Sequence, residues 1–281
     1  MTLGEALRRA TAELERQRVD SPRLDAELIV AQALRLSRLD LYAQSDRELT
    51  EDELAFGFEL VERRARREPL AYVLGEWGFR RLTLRTDRRA LVPRPETEIV
   101  VERALALLAQ LDAPRVVDVG TGSGAIALAI ADERPDARVT ATDVSPAALE
   151  LARENATALD LRVELVETTL LEGLPGPFDL VVSNPPYVEA SELAGLEPEV
   201  REWEPREALV AEGQTEELVR GAPSVLTEGG WLVLETHAER GRQVAELLRE
   251  GGYADVTITP DLAGHERVVE GRWQATRLSG R

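Results

Sequence analysis

The chain has 281 residues, of which 43% are hydrophobic, and this is long enough for one large domain with an accessory unit. It contains no cysteine, which excludes disulfides and zinc–thiolate sites, and its only histidines, His237 and His265, have no suitably spaced partner for a metal site. The formal net charge of −18 disfavours direct binding to nucleic acid, because such binding depends on clustered cations. We therefore expect no metal and no nucleic-acid partner.

No stretch approaches the roughly 18 consecutive apolar residues that a membrane span needs. The amino terminus, "MTLGEALRRATAELERQR", is charged and helical and lacks the apolar centre of a signal peptide. These features predict a cytoplasmic protein with no membrane partner.

Helical patterns fill residues 1–74, which we predict to be a small all-helical N-terminal domain. The stretches are "LGEALRRATAELERQR", then "SPRLDAELIVAQALR" with Ser21 as N-cap and Pro22 at the first helical position, then "TEDELAFGFELVERRARRE" opened by Thr50 and Glu53. The Arg-rich end of the last stretch, 62–68, is predicted to be a solvated helix end. The alternating "GEWGFRRLTLRT" predicts a β-hairpin linker over 75–90.

Strands alternate with helices over 91–281. Near-continuous apolar strands are predicted at "RVVDVG", "RVTATD", "RVELVE", "FDLVVSN" and "GWLVLET", with helices at "GAIALAIADERP", "SPAALELARENATALD" and "GQTEELVRGAPSVLTEG". The closing pair "YADVTITP" and "ERVVEGRW" predicts an antiparallel edge hairpin. The fold class is therefore α/β, with a Rossmann-like, mostly parallel sheet covered by helices on both faces.

A glycine-rich loop, "DVGTGSG", follows the first parallel strand and opens a helix. Its glycines let the backbone turn sharply and approach a ligand closely. Asp143 ends the second strand, where a carboxylate can accept both hydroxyls of a ribose, while Ser145 is better placed to cap the next helix. On this loop alone, a nicotinamide enzyme remains possible.

The tetrapeptide Asn184-Pro185-Pro186-Tyr187 follows the fourth parallel strand. The two prolines stop the strand and stiffen the backbone, and the flanking residues present one amide and one flat aromatic face. A dehydrogenase has no need for this segment, whereas an enzyme that methylates a planar nitrogen does.

Together, the glycine loop, Asp143 and the Asn-Pro-Pro-Tyr segment resemble a class I S-adenosylmethionine-dependent methyltransferase acting on a planar nitrogen. The segments "REPLAYVLGEWGFRRLTL", "LVPRPETE", "EWEPREALVAEG" and "HERVVEGRW", in this order and spacing, resemble the HemK/PrmC family over essentially the whole chain. That family methylates the side-chain nitrogen (N5) of the glutamine in the Gly-Gly-Gln motif of class 1 peptide chain release factors.

The resemblance implies roles for individual residues. S-adenosyl-L-methionine would be the cofactor and S-adenosyl-L-homocysteine the product, and Asp143 would hold the ribose. The methionine end of the cofactor would be lined by Gly120, Thr121, Gly122, Ser123 and Gly124. After the third strand the family carries an acidic and then a bulky residue, where this chain has Thr168 and Thr169, so Thr169 is the aligned position for the adenine.

The substrate side is implied in the same way. Asn184 would lie close to cofactor and substrate, and its side-chain oxygen and the Pro185 carbonyl would each accept one N–H of the glutamine amide. Pro186 would keep that backbone rigid, and Tyr187 would pack against the flat amide. The helical domain would recognise the release factor, and the enzyme would act as a monomer.

The residues alone leave three alternative functions open. These are an amino-nitrogen methyltransferase of DNA or RNA bases, an inactive methyltransferase-fold binding module, and the nicotinamide dehydrogenase. Three carboxylates also stay ambiguous. Glu96 and Glu98 of "RPETE" border the site or only favour the helix dipole, and Glu235 at the end of the fifth strand faces either the pocket or solvent.

Overall fold

The computed structural model describes residues 1–274, so the last residues of the predicted methyltransferase domain, 275–281, lie outside the described part. The described chain forms two compact units. The first contains Met1–Glu76 together with the segment Leu196–Trp203, and the second contains Trp77–Gly195 and the chain from Glu204 onward.

The helices and strands follow one another in an order that matches a helical amino-terminal part and an α/β part. The helices are α1 (Leu3–Arg16), α2 (Pro22–Leu34), α3 (Arg38–Ala43), α4 (Glu51–Ala65), α5 (Leu70–Leu74), α6 (Thr97–Leu108), α7 (Ala125–Glu133), α8 (Pro146–Ala158), α9 (Pro198–Trp203), α10 (Arg206–Leu209), α11 (Gln214–Gly221) and α12 (Gly241–Glu250). The strands are β1 (Glu76–Phe79), β2 (Leu82–Arg85), β3 (Arg115–Val119), β4 (Arg138–Asp143), β5 (Glu164–Glu167), β6 (Phe178–Ser183), β7 (Leu226–Glu235), β8 (Tyr253–Pro260) and β9 (Glu266–Trp273).

The first unit is held together by an apolar core between α1, α2 and α4. Leu14, Ile29 and Val61 are almost completely buried in it. Thr50 and Glu53 form the predicted capping box at the start of α4, where each side chain bonds to the backbone N–H of the other. Ser21 precedes α2 as predicted, but its side chain makes no capping hydrogen bond, so Pro22 alone marks that helix start.

The prediction that 62–68 is a solvated helix end is wrong. Arg64 is only 6% exposed, and its guanidinium donates to Asp25 Oδ2 at 2.7 Å and to Glu199 Oε1 at 2.8 Å. Arg67 donates to the other oxygen of Glu199 at 2.7 Å. These buried ion pairs fix α9, a helix from the loop that follows the Asn-Pro-Pro-Tyr segment, within the helical unit. The sequence gives no sign of them, because Glu199 lies far from Arg64 along the chain.

The second unit is built on a seven-stranded sheet with the order β5-β4-β3-β6-β7-β9-β8. Strands β3 to β7 are parallel, and β9 is antiparallel to both β7 and β8. This confirms the predicted α/β class with an antiparallel edge hairpin. Strands β1 and β2 form a separate two-stranded sheet, which matches the predicted hairpin, while its role as a linker over 75–90 stays a prediction.

Helices cover both faces of this sheet because the side chains of each strand alternate between two cores. On one face Val116 packs with α6 and α7, and on the other Val117 packs with α11 and α12. Helix α12 was not predicted, although Val244, Ala245 and Leu248 form a buried stripe along it. The helix predicted over "GQTEELVRGAPSVLTEG" is wrong at its carboxyl end, "LTEG". Leu226 there already belongs to β7 and pairs with Phe178 of β6.

The strand order reverses at the centre of the sheet, although the strands there remain parallel. From β3 the chain moves outward through β4 and β5, and it then returns to the other side of β3 with β6. Val119 and Ser183, the last residues of β3 and β6, are paired. Open α/β sheets bind ligands at such a point, so the glycine loop and the Asn-Pro-Pro-Tyr segment begin side by side where a site is expected.

Among the described residues, the helices are all too short or too polar to cross a membrane.

Candidate active site

A cavity of about 620 Å³ lies at the carboxyl ends of the central strands. This volume is in the range of small-molecule and cofactor sites. Most residues predicted from the sequence border it: Gly120, Thr121, Gly122, Ser123, Asp143, Thr169, Asn184 and Pro186. Within the described chain, Gly124, Pro185 and Tyr187 do not line this cavity.

The glycine loop takes backbone conformations that few other residues adopt. Gly120, Gly122 and Gly124 have φ of +70°, +57° and +87°. A Cβ added at Gly120 would meet nothing within 4 Å, whereas one at Gly124 would lie 2.9 Å from Leu128 Cδ1 and 3.3 Å from Ala152 Cβ. Gly120 therefore leaves open space at the cavity, and Gly124 allows α7 and α8 to pack closely instead of contacting a ligand.

Asp118 holds this loop from beneath. Its carboxylate is completely buried and accepts from the Thr121 hydroxyl at 2.6 Å and from the Ala127 backbone N–H at 3.2 Å, both through Oδ2. Within the described residues, Oδ1 has no hydrogen-bond partner. Burial raises the pKa of Asp118 to about 7, because the charged form is poorly solvated there.

The raised pKa predicts a stability effect of Asp118→Asn that depends on pH. Between about pH 4 and 7 the folded wild type keeps a proton on Asp118, whereas the unfolded chain has released it. The stability that protonated Asp118 contributes is therefore complete below about pH 4 and is lost as the pH rises to about 7. An amide does not ionise. One pKa unit corresponds to about 1.4 kcal/mol. As the pH rises through this window, the unfolding free energy of the variant minus that of the wild type should therefore increase by up to about 4 kcal/mol.

Urea unfolding of both proteins between about pH 4 and 8 measures this difference. Because Glu235 and the other titratable groups are common to both proteins, the difference isolates Asp118. A difference that does not change with pH would contradict the prediction.

Asp143 is oriented by two backbone N–H groups at the end of β4. Gly122 donates to Oδ2 and Ser145 donates to Oδ1, each at 2.9 Å. Burial raises the pKa of Asp143, although these two bonds act in the opposite direction. Each oxygen keeps a further lone pair for a ligand hydroxyl. Ser145 caps α8 as predicted, with its side chain accepting from Ala148.

The Asn184 amide is anchored on one side only. Its Nδ2 donates to the Thr97 hydroxyl oxygen at 3.2 Å, which leaves Oδ1 available to a substrate. The ring of Tyr187 lies 6.0 Å from that of His237, and Arg240 donates to the Tyr187 carbonyl at 3.1 Å. Burial raises the pKa of Tyr187 to about 12, so its hydroxyl is neutral at physiological pH.

Two residues of "RPETE" have defined surroundings. Glu98 accepts from the backbone N–H of Arg80 at 2.9 Å and therefore faces the linker hairpin. Thr97, between Glu96 and Glu98, is buried and lines the cavity. Glu235 is 2% exposed and does not line the cavity of the described structure, so it faces neither solvent nor the pocket. Sequence reasoning missed the Thr97 contact, although the position of Thr97 in the most specific upstream motif was a usable signal.

The charges around the cavity suit a cationic ligand that carries a ribose. Arg89 and Arg94 line it but are paired with other side chains, Arg89 with Asp87 and Glu154 and Arg94 with Glu204. Glu207, Glu212 and Glu217 line it as well, together with Asp143. The residues therefore fit S-adenosylmethionine, a sulfonium cation with two ribose hydroxyls. Groups of His, Cys, Asp and Glu arranged to hold a metal ion are absent from residues 1–274.

Both parts of the chain are similar to known protein families. Residues 5–75 match the family model of the PrmC N-terminal domain, and residues 100–197 match that of the methyltransferase small domain. Relatives include the release factor glutamine methyltransferase of Deinococcus radiodurans, 45% identical over 97% of this chain and 99% of that protein. The protein of the same name from Vibrio cholerae is 39% identical over 99% of both chains.

Solved structures support the fold. A T. thermophilus 16S rRNA methyltransferase (RsmC) in complex with AdoMet and guanosine has a TM-score of 0.53 at 18% identity, covering 71% of this chain and 50% of its own. A methyltransferase from Pyrococcus furiosus has a TM-score of 0.50 at 20% identity, covering 68% of this chain and 89% of its own. At these identities the likeness concerns the methyltransferase fold alone.

Proposed function

The chain belongs to the family of release factor glutamine methyltransferases, and from this membership we infer that it methylates N5 of the glutamine in the Gly-Gly-Gln motif of class 1 peptide chain release factors. One structural observation supports this most directly. Asp143, which can hold a ribose, and Asn184, which can hold a flat amide, border the same cavity of about 620 Å³.

We propose S-adenosyl-L-methionine as the cofactor, and when bound it supplies a methyl group carried on a positively charged sulfur. Asp143 holds the ribose hydroxyls with the lone pairs that its two backbone bonds leave free. Gly120, Thr121, Gly122 and Ser123 line the methionine end. Thr169 borders the cavity beyond β5 and is the proposed adenine neighbour.

The substrate amide must be oriented, because its nitrogen lone pair is delocalised into the carbonyl group. The Asn184 side-chain oxygen and the Pro185 carbonyl each accept one N–H of the glutamine amide, which turns the remaining nitrogen orbital toward the cavity. Pro186 stiffens this backbone, and the ring of Tyr187 packs against the flat amide.

No strong base is required before the transfer. The proton on nitrogen becomes acidic once the nitrogen has gained a fourth bond, and it then leaves to solvent. The high pKa of Tyr187 is consistent with this role, since a phenol held neutral at pH 7 contributes its ring rather than a charge. Catalysis is then mainly a matter of positioning.

The helical unit, 1–74 in the predicted boundaries, is the proposed recognition domain for the release factor, the hairpin over 75–90 the linker, and 91–281 the catalytic domain. The proposal includes a monomeric enzyme in the cytoplasm without a nucleic-acid partner. The match of residues 5–75 to the PrmC N-terminal domain supports the recognition role, and the acidic composition supports the absence of a nucleic-acid partner.

A labelling experiment tests the substrate. The protein is incubated with S-adenosylmethionine carrying a labelled methyl group and with a class 1 release factor, either intact or with alanine in place of the Gly-Gly-Gln glutamine. Label is expected on the intact factor only. Equal label on both factors, or label on a DNA or RNA duplex given in a parallel reaction in place of the factor, would overturn the assignment.

A further inference from the structure

The segment that carries Asn184 is held from behind by an arginine of another loop. Arg240 immediately precedes α12, and its Nη1 donates to the Tyr187 carbonyl at 3.1 Å. We propose that Arg240 is a positioning residue for methyl transfer, because it fixes the peptide group at the end of the Asn-Pro-Pro-Tyr segment. This rests on the proposed function, in which that segment orients the glutamine amide.

The beginning of the segment is fixed by the sheet and by α6. Ser183, the last residue of β6, is 1% exposed, and its hydroxyl donates to the Val119 carbonyl at 2.7 Å. The next residue, Asn184, donates to the Thr97 hydroxyl oxygen at 3.2 Å. The two prolines that follow have no N–H with which to bond to a neighbouring segment. The orientation of the far end therefore depends on contacts beyond the prolines.

The peptide group between Tyr187 and Val188 is held at both of its edges. Its carbonyl accepts from Arg240, and its N–H, on Val188, donates to the Leu209 carbonyl at 3.0 Å. This peptide is trans, so its N–H and its C=O point in opposite directions and the two partners lie on opposite sides of it. With one partner alone, the peptide plane could still tilt about the remaining bond. Arg240 therefore removes the freedom that Leu209 leaves.

A tilt of this plane would reach the groups that hold the substrate. Pro186 separates Tyr187 from Pro185, and its ring allows little rotation that could absorb the tilt. In the proposed function, the Pro185 carbonyl accepts from the glutamine amide and the ring of Tyr187 packs against it. A misplacement of about 1 Å can lower a rate about 100-fold. We therefore expect the rate of methyl transfer to depend on Arg240.

Arg240 is itself held on a rigid support. Its backbone N–H donates to the His237 carbonyl at 2.9 Å in the turn after β7, and its carbonyl accepts from the Val244 N–H at 3.0 Å in the first turn of α12. Two carboxylates also aim its guanidinium, since Nη1 lies 2.9 Å from Glu189 Oε1 and Nη2 lies 3.4 Å from Glu192 Oε2. Both carboxylates are about half exposed, and exposed ion pairs contribute little energy. The effect on the reaction therefore belongs to the carbonyl bond.

Arg240 lies on the substrate side and not on the cofactor side. It does not line the cavity of about 620 Å³ in the described structure, and we therefore expect no contact between Arg240 and the cofactor. Loss of Arg240 should lower kcat and leave binding of S-adenosylmethionine unchanged. A change that merely loosened the fold would weaken both, so the two measurements separate positioning from general stability.

The hydrogen bond can be observed without substrate or cofactor. The dipeptide Tyr-Val occurs twice in the sequence, as Tyr72-Val73 and as Tyr187-Val188. Protein that carries ¹³C-carbonyl tyrosine and ¹⁵N-valine therefore gives two signals in an NMR spectrum that selects directly bonded carbonyl and nitrogen atoms. The Tyr72 carbonyl also accepts from an arginine, Arg63, at 2.9 Å, and it serves as the internal control.

Arg240→Met keeps the apolar stem of the side chain and removes its donors. It should shift the ¹³C signal of the Tyr187 carbonyl and leave that of Tyr72 in place. Arg63→Met should shift the Tyr72 signal alone, which assigns the two signals. A Tyr187 signal that stays in place in Arg240→Met would overturn the proposal.

Single-turnover transfer of a labelled methyl group to the release factor is the second measurement. Arg240→Met should lower the rate about 10- to 100-fold. Arg240→Lys, which keeps a donor, should recover most of the rate. Calorimetry should give the wild-type affinity for S-adenosylmethionine in both variants. An unchanged rate in Arg240→Met, or a loss of rate matched by an equal loss of cofactor affinity, would overturn the proposal.

Two controls separate the carbonyl bond from the charges. Arg242→Met changes an arginine of the same helix whose side chain is 87% exposed and pairs with Glu266 at 3.2 Å, and it should keep the wild-type rate. Glu189→Gln combined with Glu192→Gln removes the ion pairs of Arg240 and should keep most of the rate. A loss in this double variant as large as that of Arg240→Met would overturn the role of the carbonyl bond. A wild type that methylates no release factor would instead remove the proposed function, and the carbonyl spectrum would still decide the hydrogen bond.

Discussion

Replacing Asn184 with alanine is expected to reduce methylation of the release factor to near the limit of detection, a loss of at least about 100-fold in kcat. The variant removes the acceptor that orients the substrate amide, and small misplacements of a reacting group cost that much. The rate is measured as transfer of a labelled methyl group under single-turnover conditions.

The loss should occur without unfolding. Asn184 is a partly exposed loop residue whose side-chain NH₂ donates to the Thr97 hydroxyl oxygen, so the melting temperature should stay within a few degrees. Ser191→Ala is the matched control, because it changes an exposed polar residue of the same loop, and it should keep the wild-type rate. If Asn184→Ala turned over like the control, the amide-orienting role would be wrong.

Asp143→Ala is expected to weaken binding of S-adenosylmethionine by about 100-fold or more. Hydrogen bonds to a charged group contribute about 1.5–3 kcal/mol each, and two ribose hydroxyls would lose such bonds. The variant also frees the Gly122 N–H, which now bonds to Oδ2 at 2.9 Å and helps to order the glycine loop. Isothermal titration calorimetry with the cofactor alone measures the effect.

The neighbouring strand offers a matched control for this variant. Glu167 ends β5, pairs with Asp143 in the sheet and is exposed, and it does not line the cavity of the described structure. Glu167→Ala should therefore bind the cofactor normally. If the loss appeared in Glu167→Ala and not in Asp143→Ala, the ribose would belong to β5 and the assignment of the cofactor site would be wrong.

The sequence predicted the parts of the site that follow buried strands. The runs that end at Val119, Asp143 and Ser183 are recognisable in the sequence as buried strands. Because these strands are parallel, their carboxyl ends lie at one edge of the sheet. The lining residues Gly120, Asp143 and Asn184 are thus predictable from the sequence alone.

Contacts that join distant segments left no such pattern. Thr97 and Asn184 meet only because the fold brings the start of α6 to the end of β6, and a single hydroxyl in a helix has no periodicity. Gly124 shows a different limit. The sequence marks it as a loop glycine, but only the positions of Leu128 and Ala152 reveal that it serves helix packing. Side-chain surroundings, unlike strand ends, require the tertiary structure.

The buried pairing of Arg64 with Asp25 and Glu199 bears on how the protein can be divided. The family model of the N-terminal domain covers 5–75, yet the compact helical unit also takes in Leu196–Trp203. A fragment that ends after residue 75 would keep the Arg64 cation and its partner Asp25 but would lose Glu199. Removing one member of a buried ion pair is costly. The helical unit is complete only when the chain returns to it, so its folding is tied to synthesis of the loop that follows the catalytic segment.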